Sequence, residues 1–273
     1  LGQRYDVIIR ADQSDTADNF WIRAVPQTSC SSTNSMEHDI LGIVYYGTSP
    51  STPDTTGYNK TDSCDDMSST DLVPYVSKTV DSAAIWTEEE PVTIGAAPTN
   101  SNLLWWSVNG ATLDMSWSNQ TLLQVYDNTT SFNTSANVVQ VSDADEWVYV
   151  VISTALGIAH PTHLHGHDFF VLAQGTGTYD SSVTLNLDNP VRRDVAMLAA
   201  QGYLVIAFQT DNPGVWLIHC HIGWHTDEGL AIQFVERQSE ARELIDYESL
   251  SETCAAWETW QTSDGLVQED DGI

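Results

Sequence analysis

The 273-residue chain is predicted to be an all-β protein, a sandwich or barrel of short strands with helices only near its end. Two observations predict this fold class. Short apolar stretches are separated by turn-forming sequences such as Asp188-Asn-Pro190 and Asp211-Asn-Pro-Gly214. Helical spacing of apolar residues occurs only at 239–250 and 254–260.

Composition divides the chain into four parts. Residues 1–50 are predicted to be the C-terminal part of one β domain, with strands at 5–10, 20–25 and 41–46. Residues 51–80 are rich in Ser, Thr, Pro, Asp and Gly, which predicts a linker. A second β domain is predicted over 81–245, and 246–273 form a C-terminal tail.

The second domain is predicted to hold seven strands, each a short run of apolar residues between turn signals. Their predicted positions are 103–108, 122–126, 146–154, 163–172, 204–210, 215–221 and 230–235. Glu88-Glu-Glu90, directly before Pro91, is most simply a solvated run of charge.

The charge of the chain excludes one class of partner. Thirty-eight acidic and nine basic residues give a formal net charge of −29 at pH 7. Such a surface repels phosphate backbones, which excludes nucleic acid.

We also expect no membrane segment, because no apolar run approaches the roughly 18 residues of a membrane span. Since the chain starts without methionine or a charged leader, we expect its first domain to continue in an earlier, separate or processed part.

Seven of the eight histidines lie in two short windows, His160-Pro-Thr-His-Leu-His-Gly-His167 and His219-Cys-His-Ile-Gly-Trp-His225. Imidazole and thiolate together suit copper, and two histidines with one cysteine form an electron-transfer copper site. Zinc is the rival interpretation, but structural zinc prefers a closed set of four ligands with several thiolates. The windows therefore predict copper redox chemistry.

The spacing of these residues predicts how they divide between metal centres. Successive side chains of a strand face opposite sides, so His219 and His221 point one way and Cys220 points the other. His163 and His165 are also two apart, which lets them meet the first pair from a neighbouring strand. We expect these four histidines to form one cluster.

A separate centre is predicted around Cys220. His160 lies before Pro161, outside the alternation, and His225 lies where a loop can fold back to the thiolate. A long methionine ligand often completes such a site, but no methionine follows Cys220. Leu230, near the expected end of the loop, would leave the axial position unligated and raise the reduction potential.

Two neighbouring features have structural interpretations. His167 follows Gly166, and we expect it to support the fold or to hydrogen-bond a ligand rather than to bind metal. Arg192-Arg193-Asp194 is predicted to be a structural ion-pair loop.

The remaining cysteines and the sequons indicate the secretory route. With Cys220 as a ligand, Cys30, Cys64 and Cys254 cannot all pair within one chain. Cys30 and Cys64 flank a loop-like stretch and are a candidate disulfide, which leaves Cys254 for a partner outside the chain. N-glycosylation sequons start at four positions, Asn59, Asn119, Asn128 and Asn133. We therefore expect a secreted, extracellular glycoprotein.

Four motifs resemble the C-terminal half of a multicopper oxidase, specifically a fungal, ascomycete-type laccase. They are His160-Pro-Thr-His-Leu-His-Gly-His-Asp-Phe169, Asn189-Pro-Val-Arg-Arg-Asp194, Asp211-Asn-Pro-Gly-Val-Trp216 and His219-Cys-His-Ile-Gly-Trp-His-Thr-Asp-Glu-Gly-Leu230. The resemblance covers essentially the whole chain. It implies cupredoxin-like Greek-key domains, of which this chain holds the end of the second and all of the third.

The resemblance also implies the role of each ligand. Cys220, His160 and His225 match the ligands of the type 1 copper, with Leu230 at the non-coordinating axial place. His163 matches a ligand of the type 2 copper, and the residues that match ligands of the type 3 pair are His165, His219 and His221. The family's cluster uses eight histidines, so the other four would come from an N-terminal half, which would also supply a cysteine for Cys254.

Three further features follow from the resemblance. It supports the pairing of Cys30 with Cys64. Leu156, Ile158 and Trp224 are candidate walls of a substrate pocket, with ordinary core packing as an equal alternative. The terminal Asp270-Asp-Gly-Ile273 resembles a tail that plugs the solvent channel, although Asp271 stands where that tail commonly has Ser.

The predicted function is the one-electron oxidation of phenolic or aromatic donors, coupled to the reduction of oxygen to water by a four-copper enzyme. The catalytic residues would be His225, which meets the donor, and Cys220. An Fe(II) oxidase of the same family is an alternative, for which Asp227 and Glu228 are close in sequence to His225. A single-copper electron carrier needs only one centre and gives no reason for the paired histidines. A copper-storage or zinc-stabilised module predicts no blue colour and no oxygen uptake.

Overall fold

The computed structural model describes residues 2–29, 35, 40–57, 61–63, 66–98, 100–265 and 268, apart from the side chains of 85–90. The chain divides into two compact units. One is Tyr5–Asp66, and the other combines Leu1–Arg4 with Met67–Ile273.

The smaller unit contains the antiparallel strands β1 (Asn19–Arg23) and β2 (Leu41–Tyr45), in which Trp21 lies opposite Ile43. Both strands were predicted. The predicted strand at 5–10 is wrong, because this segment has no strand partner in the described part of the unit and exposes its apolar side chains. An alternating pattern forms a strand only where a neighbouring edge can take its hydrogen bonds.

The larger unit contains eleven further strands, four α-helices and a 3-10 turn at Thr134–Ala136 within its described residues. In chain order they are β3 (Ile85–Ala96), β4 (Leu104–Ser107), α1 (Thr121–Tyr126), β5 (Val138–Val141), β6 (Trp147–Thr154), β7 (His160–Leu164), β8 (Phe169–Thr176), β9 (Arg192–Arg193), β10 (Val195–Leu198), β11 (Gly202–Gln209), β12 (Gly214–Cys220), α2 (Gly223–Asp227), β13 (Ala231–Glu236), α3 (Gln238–Leu244) and α4 (Tyr247–Asp264).

These strands form two sheets. One has the order β10-β7-β12-β13-β5 and the other the order β4-β3-β6-β11-β8-β9. Consecutive strands form three of the neighbouring pairs, β3–β4, β8–β9 and β12–β13, and the other pairs join strands that are distant along the chain, as Greek-key connections do. The architecture matches the mostly β, cupredoxin-like fold that the resemblance implied.

The main core lies where side chains of both sheets meet. It includes Val148 and Val150 from β6, Ile206 from β11, and Ile218 and Phe234 from β12 and β13. Burial of each such side chain contributes about 1.5–3 kcal/mol. The alternate residues of β6 and β11 pack in a second cluster on the other face of their sheet. β6 is therefore almost continuously buried, as its uninterrupted apolar sequence requires.

Two of the predicted strands are wrong in type or extent. The segment 122–126 is a helix, α1, because Thr121 and Val125 are buried four residues apart, which is the helical spacing. The predicted strand 163–172 is two strands, β7 and β8, separated by a turn at Gly166, whose φ is +74°. Glycine adopts a positive φ without the steric cost that a Cβ brings.

Other elements were not predicted. β5 and β10 are four-residue strands, and α2 is a five-residue helix, lengths at which local sequence carries little signal. Glu88-Glu-Glu90 lies within β3, and the solvation of these side chains stays a prediction because their exposure is outside the described structure. Helices are present near the C-terminus as expected, but with other bounds. The predicted helix at 239–250 is interrupted at Asp246, whose side chain accepts a hydrogen bond from Ser249 N, and α4 runs on through 254–260. Among the described helices, none has the length and apolar content that a bilayer crossing requires.

The turn at Gly166 provides a test of this fold. A Cβ at this position would lie 2.5 Å from the Trp216 ring, while Gly110 also has a positive φ but open space around it. We expect Gly110→Ala to cost about 1 kcal/mol from conformation alone, and Gly166→Ala to cost at least about 1 kcal/mol more from overpacking. Urea unfolding of both variants measures the difference. Gly223→Ala, with open space and no positive φ, is the matched control, and equal losses for Gly166 and Gly110 would contradict the turn geometry.

Candidate metal centres

Strand β12 positions the His-Cys-His sequence against β7. His219 lies opposite His163, and Cys220 lies opposite Thr162. Because side chains alternate along a strand, Cys220 enters the main core and is 3% exposed, while His219 faces the other side with His163. Adjacent residues therefore belong to two different groups of potential ligands.

The first group consists of His160, Cys220 and His225, whose ligand atoms all lie within 4.8 Å of one another. Cys220 Sγ is 3.7 Å from His160 Nδ1 and 3.5 Å from His225 Nδ1. The two Nδ1 atoms are 3.2 Å apart. His160 begins β7, and His225 lies on α2, which returns the chain to Cys220. The structure thus brings together the three residues that the sequence assigned to one centre.

The local backbone explains how His225 returns to the cysteine. Cys220 N donates to Leu230 O at 3.1 Å, and Leu230 N donates to His225 O at 2.9 Å. Gly229, with a φ of +93°, reverses the chain between α2 and β13. Residues 220–230 therefore form a closed loop with His225 inside it.

The side of this group facing the core is apolar. A cavity of about 20 Å³ beside Cys220 is lined by His160, Leu230, Ile232 and other mostly apolar side chains. Leu230 is buried. A branched aliphatic side chain here offers no ligand atom, which agrees with the expectation of an unligated axial position.

Trp106 is a component of this site that the sequence analysis missed. Its ring lies 4.2 Å from the ring centroid of His225 and 5.1 Å from that of His160. Its Nε1 donates to Glu228 Oε2 at 3.1 Å. Trp106 was placed within a predicted strand, but no local pattern relates a residue of β4 to a helix more than a hundred residues later.

Burial keeps these ligands neutral. It lowers the pKa of His160 to about 4, with the nearby His225 as a second cause, and it also lowers the pKa of His225. Burial raises the pKa of the Cys220 thiol to about 11. Neutral imidazoles are ready to bind a metal ion, whereas the thiolate forms here only if a cation compensates the buried charge.

The second group consists of His163, His165 and His219, again with ligand atoms within 4.8 Å of one another. His165 Nε2 and His219 Nε2 are 2.9 Å apart. His163 Nδ1 lies 2.6 Å from the carbonyl oxygen of Asp194, and His219 Nδ1 lies 2.9 Å from that of Cys220. A carbonyl oxygen only accepts, so both Nδ1 atoms carry the proton. The Nε2 atoms remain as metal ligands, an arrangement typical of metal-binding histidines.

His221 lies beside this group without joining it. Its ring is 5.9 Å from that of His219, nearly parallel to it, and 5.7 Å from that of His163. The rings of His219 and His221 therefore face the same side, as the alternation predicted. Burial is the main cause that lowers the pKa of His219 to about 4; the hydrogen bond to Cys220 O acts in the opposite direction, and the neighbouring histidines, including His221, add to the lowering.

His167 lies outside both groups. Its Nε2 is 2.9 Å from Glu236 Oε2, and both side chains are buried. Phe208 and Trp216 pack against its ring. These contacts agree with the structural interpretation of His167.

The arginine motif also has structural contacts. Arg192 Nη2 donates to Val76 O at 2.5 Å. Asp194 serves the second group through its carbonyl oxygen, and its carboxylate Oδ2 is 4.0 Å from His163 Nδ1. The backbone carbonyl of Asp194 therefore supports the second group.

The predicted pocket residues have different environments. Leu156 packs against the main core, which favours its interpretation as a packing residue. Ile158 is 48% exposed and Trp224 is 78% exposed. Trp224 directly precedes His225 on α2, so an apolar surface lies beside the first group.

Several predicted features lie outside the described residues: Cys30, Cys64, Asn59 and the tail 270–273. Cys254 is buried on α4, and its Sγ donates to Gln120 Oε1 at 3.1 Å. The other three sequon residues, Asn119, Asn128 and Asn133, are exposed.

The two groups fit copper. The first combines one thiol with two imidazoles in an apolar pocket, the donor set of an electron-transfer copper site. The second offers imidazole Nε2 atoms alone, oriented by hydrogen bonds to backbone carbonyls. Both agree with the copper sites of multicopper oxidases.

Comparison with known proteins gives the same family. Residues 106–240 match a family model described as multicopper oxidase. The chain is 42% identical to Laccase-2 of Botryotinia fuckeliana, with all of this chain and 47% of that protein covered. It is 35% identical to a laccase of Neurospora crassa, covering 99% of this chain and 46% of that one. The crystal structure of a laccase from Botrytis aclada superposes with a TM-score of 0.74 at 39% identity, covering 94% of this chain and 48% of that one. The chain thus spans about half the length of these relatives.

The lowered histidine pKa values predict how the stability of the metal-free protein depends on pH. In the unfolded chain these imidazoles titrate near 6.5, but in the folded protein His160 and His219 titrate near 4. Between these pH values the unfolded state binds more protons than the folded state. The contribution of the two imidazoles to the free energy of unfolding is therefore fully present above pH 6.5 and is lost as the pH falls toward 4. Each group contributes up to about 1 kcal/mol per pH unit.

Urea unfolding of the metal-free protein between pH 7 and 4.5 measures this loss. His160→Asn removes one of these two imidazoles. We therefore expect the free energy of unfolding to fall less steeply with decreasing pH than in the unsubstituted protein. An equally steep decline would show that His160 is not held neutral by burial.

Proposed function

This chain belongs to the multicopper oxidases, as a homologue of the C-terminal portion of fungal laccases, and we propose that it forms that portion of a laccase-type enzyme. The enzyme would remove single electrons from phenolic or related aromatic donors and reduce molecular oxygen to water. The support is structural homology over the whole chain and the two groups of potential copper ligands.

One observation carries the proposal: consecutive residues of β12 serve both groups. Cys220 belongs to the first group, and the adjacent His219 belongs to the second. The covalent backbone, together with the hydrogen bond from His219 Nδ1 to Cys220 O, joins the two groups directly. Bound copper would supply one-electron redox chemistry at both places, while the protein sets the distance and access. A protein that needed only one centre would have no use for this connection.

The proposed donor site lies at His225. This residue is partly exposed, and the exposed side chains of Trp224 and Ile158 are candidate contacts for an aromatic donor. Aromatic rings bind well to such apolar surfaces. The net charge of −29 disfavours anionic donors and permits neutral phenols.

We assign the ligands by the family resemblance. His160, Cys220 and His225 would hold the type 1 copper, with Leu230 beside it as a non-ligand. His163 would hold the type 2 copper. The residues proposed for the type 3 pair are His165, His219 and His221, although His221 lies apart from the group of three in this structure.

The remaining ligands are proposed to come from an N-terminal half. The chain covers about half of its relatives, and four histidines cannot complete a cluster that uses eight. We propose that the same half supplies a cysteine for Cys254, whose position on α4 is buried. The parts 1–50, 51–80, 81–245 and 246–273 would then be the end of the second domain, a linker, the third domain and the tail.

Secretion, a Cys30–Cys64 disulfide, and glycans at Asn59, Asn119, Asn128 and Asn133 complete the proposal. The exposure of the three described sequon residues supports it, since a glycan needs an accessible asparagine.

The Fe(II) oxidase alternative has weaker support. It requires carboxylates that are available to a metal ion beside His225. Glu228 is partly engaged, because its Oε2 accepts the hydrogen bond of Trp106 Nε1. Phenolic donors therefore remain the favoured class.

The first test of this function is metal content and oxygen uptake by the full-length protein. We expect four copper ions per molecule, and a higher kcat/KM for a hydroquinone than for Fe(II). One copper per molecule without oxygen uptake would support the electron-carrier alternative, and a preference for Fe(II) would overturn the phenol assignment.

The role of Cys220 provides a second test. Cys220→Ser should abolish the visible copper–thiolate absorption and reduce oxygen uptake more than about 100-fold. Loss of a residue that only hydrogen-bonds a metal ligand costs up to about 100-fold, and loss of the ligand itself should cost more. Cys254→Ser is the control for loss of a cysteine away from the histidines; it should keep the visible absorption even though it removes the proposed bond to the N-terminal half. Unchanged absorption in Cys220→Ser would refute the assignment.

A further inference from the structure

Thr226 contacts residues of both candidate copper centres, and the ligand assignments give it no role. It directly follows His225 on α2, and its side chain is 3% exposed. Its hydroxyl is inside the closed loop formed by residues 220–230. A buried hydroxyl needs hydrogen-bond partners, and those partners show what it does.

The hydroxyl contacts both parts of the connection between the centres. Thr226 Oγ1 donates to the carbonyl oxygen of Cys220. Thr226 Oγ1 also lies 3.3 Å from His219 Nδ1. This nitrogen carries a proton, because it donates to Cys220 O. The hydroxyl can therefore donate and accept at once. Ile222 O, 3.3 Å away, is a weaker acceptor because it already accepts the helical bond from Thr226 N.

We propose that Thr226 is a positioning residue that couples the two centres. Its hydroxyl fixes the helical turn carrying His225 to the carbonyl of Cys220, and it helps to hold His219 with Nδ1 protonated and Nε2 directed at His165. This inference rests on the proposed function, since it concerns the same ligands. Thr226 is not itself a proposed metal ligand and acts through Cys220, His219 and His225.

The arrangement has a clear consequence for the ligands. The position of His225 and the orientation of His219 depend on one shared hydroxyl, so a change at Thr226 affects both groups together. Residues that orient metal-binding histidines typically affect metal affinity or activity by about 10- to 100-fold.

Two substitutions distinguish this role from simple packing. Thr226→Val keeps the shape and removes the hydroxyl, whereas Thr226→Ser keeps the hydroxyl and removes the methyl group. If the hydroxyl positions the ligands, the valine variant loses function and the serine variant retains it. If Thr226 only fills space, the order is reversed. Thr121→Val is the matched control, because Thr121 is equally buried and its Oγ1 has no hydrogen-bond partner in the described part of the chain.

The first measurement is oxygen uptake with a hydroquinone by the copper-loaded full-length protein. We expect Thr226→Val to be at least about 10-fold slower, Thr226→Ser to be close to the unsubstituted protein, and Thr121→Val to be unchanged. Normal uptake by the valine variant would overturn the inference while leaving the proposed function intact.

The second measurement does not depend on oxygen chemistry. Titration of the metal-free full-length protein with Zn²⁺, an ion that imidazole binds well, should show at least about 10-fold weaker binding for Thr226→Val than for Thr226→Ser. If the unsubstituted protein took up no oxygen, the proposed function would fail, and this titration would still decide the role of Thr226.

A third observation covers the case in which the valine variant does not fold. A crystal structure of the unsubstituted, copper-loaded protein should place Thr226 Oγ1 within hydrogen-bond distance of both Cys220 O and His219 Nδ1. A hydroxyl turned away from these two atoms would overturn the inference.

Discussion

The strict alternation of side chains along β12 is the constraint on which the site depends. It sends Cys220 into the core between the sheets and His219 to the opposite side, although the two residues are adjacent. The pairing of β12 with β7 then brings His163 opposite His219. A shift of this register by one residue would exchange the faces of all these side chains. The buried core of the sandwich includes Ile218, close to the cysteine in β12. Packing of this core therefore fixes the strand register, and with it the positions of the ligands in both groups.

Electrostatics and packing act together at the first group. Burial makes charge costly, so His160 and Cys220 are neutral without a metal ion. A cation reverses this balance for the thiol, because the buried thiolate then has a partner. Leu230 lines the core side of this group and offers no ligand atom, and the Trp106 ring packs against the rings of both histidines. These contacts hold the three ligands together, which suits the proposed electron-transfer centre.

The second group shows a different kind of organisation. Its histidines are oriented by backbone carbonyl groups, from Asp194 for His163 and from Cys220 for His219. Cys220, a member of the first group, thereby orients His219 of the second group through its carbonyl oxygen. Neither carbonyl is visible in a residue motif, because every residue has one and only the fold decides which imidazole it meets. The proposed role of Thr226 has the same origin, since its position depends on the return of the chain at Gly229.

The sequence by itself determined the all-β class, most strands of the larger unit and the division of the ligands between two centres. It could do so because strand periodicity, turn residues and ligand types are local properties. It did not determine α1, the break at Gly166 or the non-strand conformation of 5–10, since short apolar runs are ambiguous until neighbouring segments are in place. Only the tertiary structure decided that Trp106 covers the first group, that His167 pairs with Glu236, and that His221 lies beside its cluster instead of within it. These contacts join residues distant in sequence, and their geometry follows from how two sheets pack.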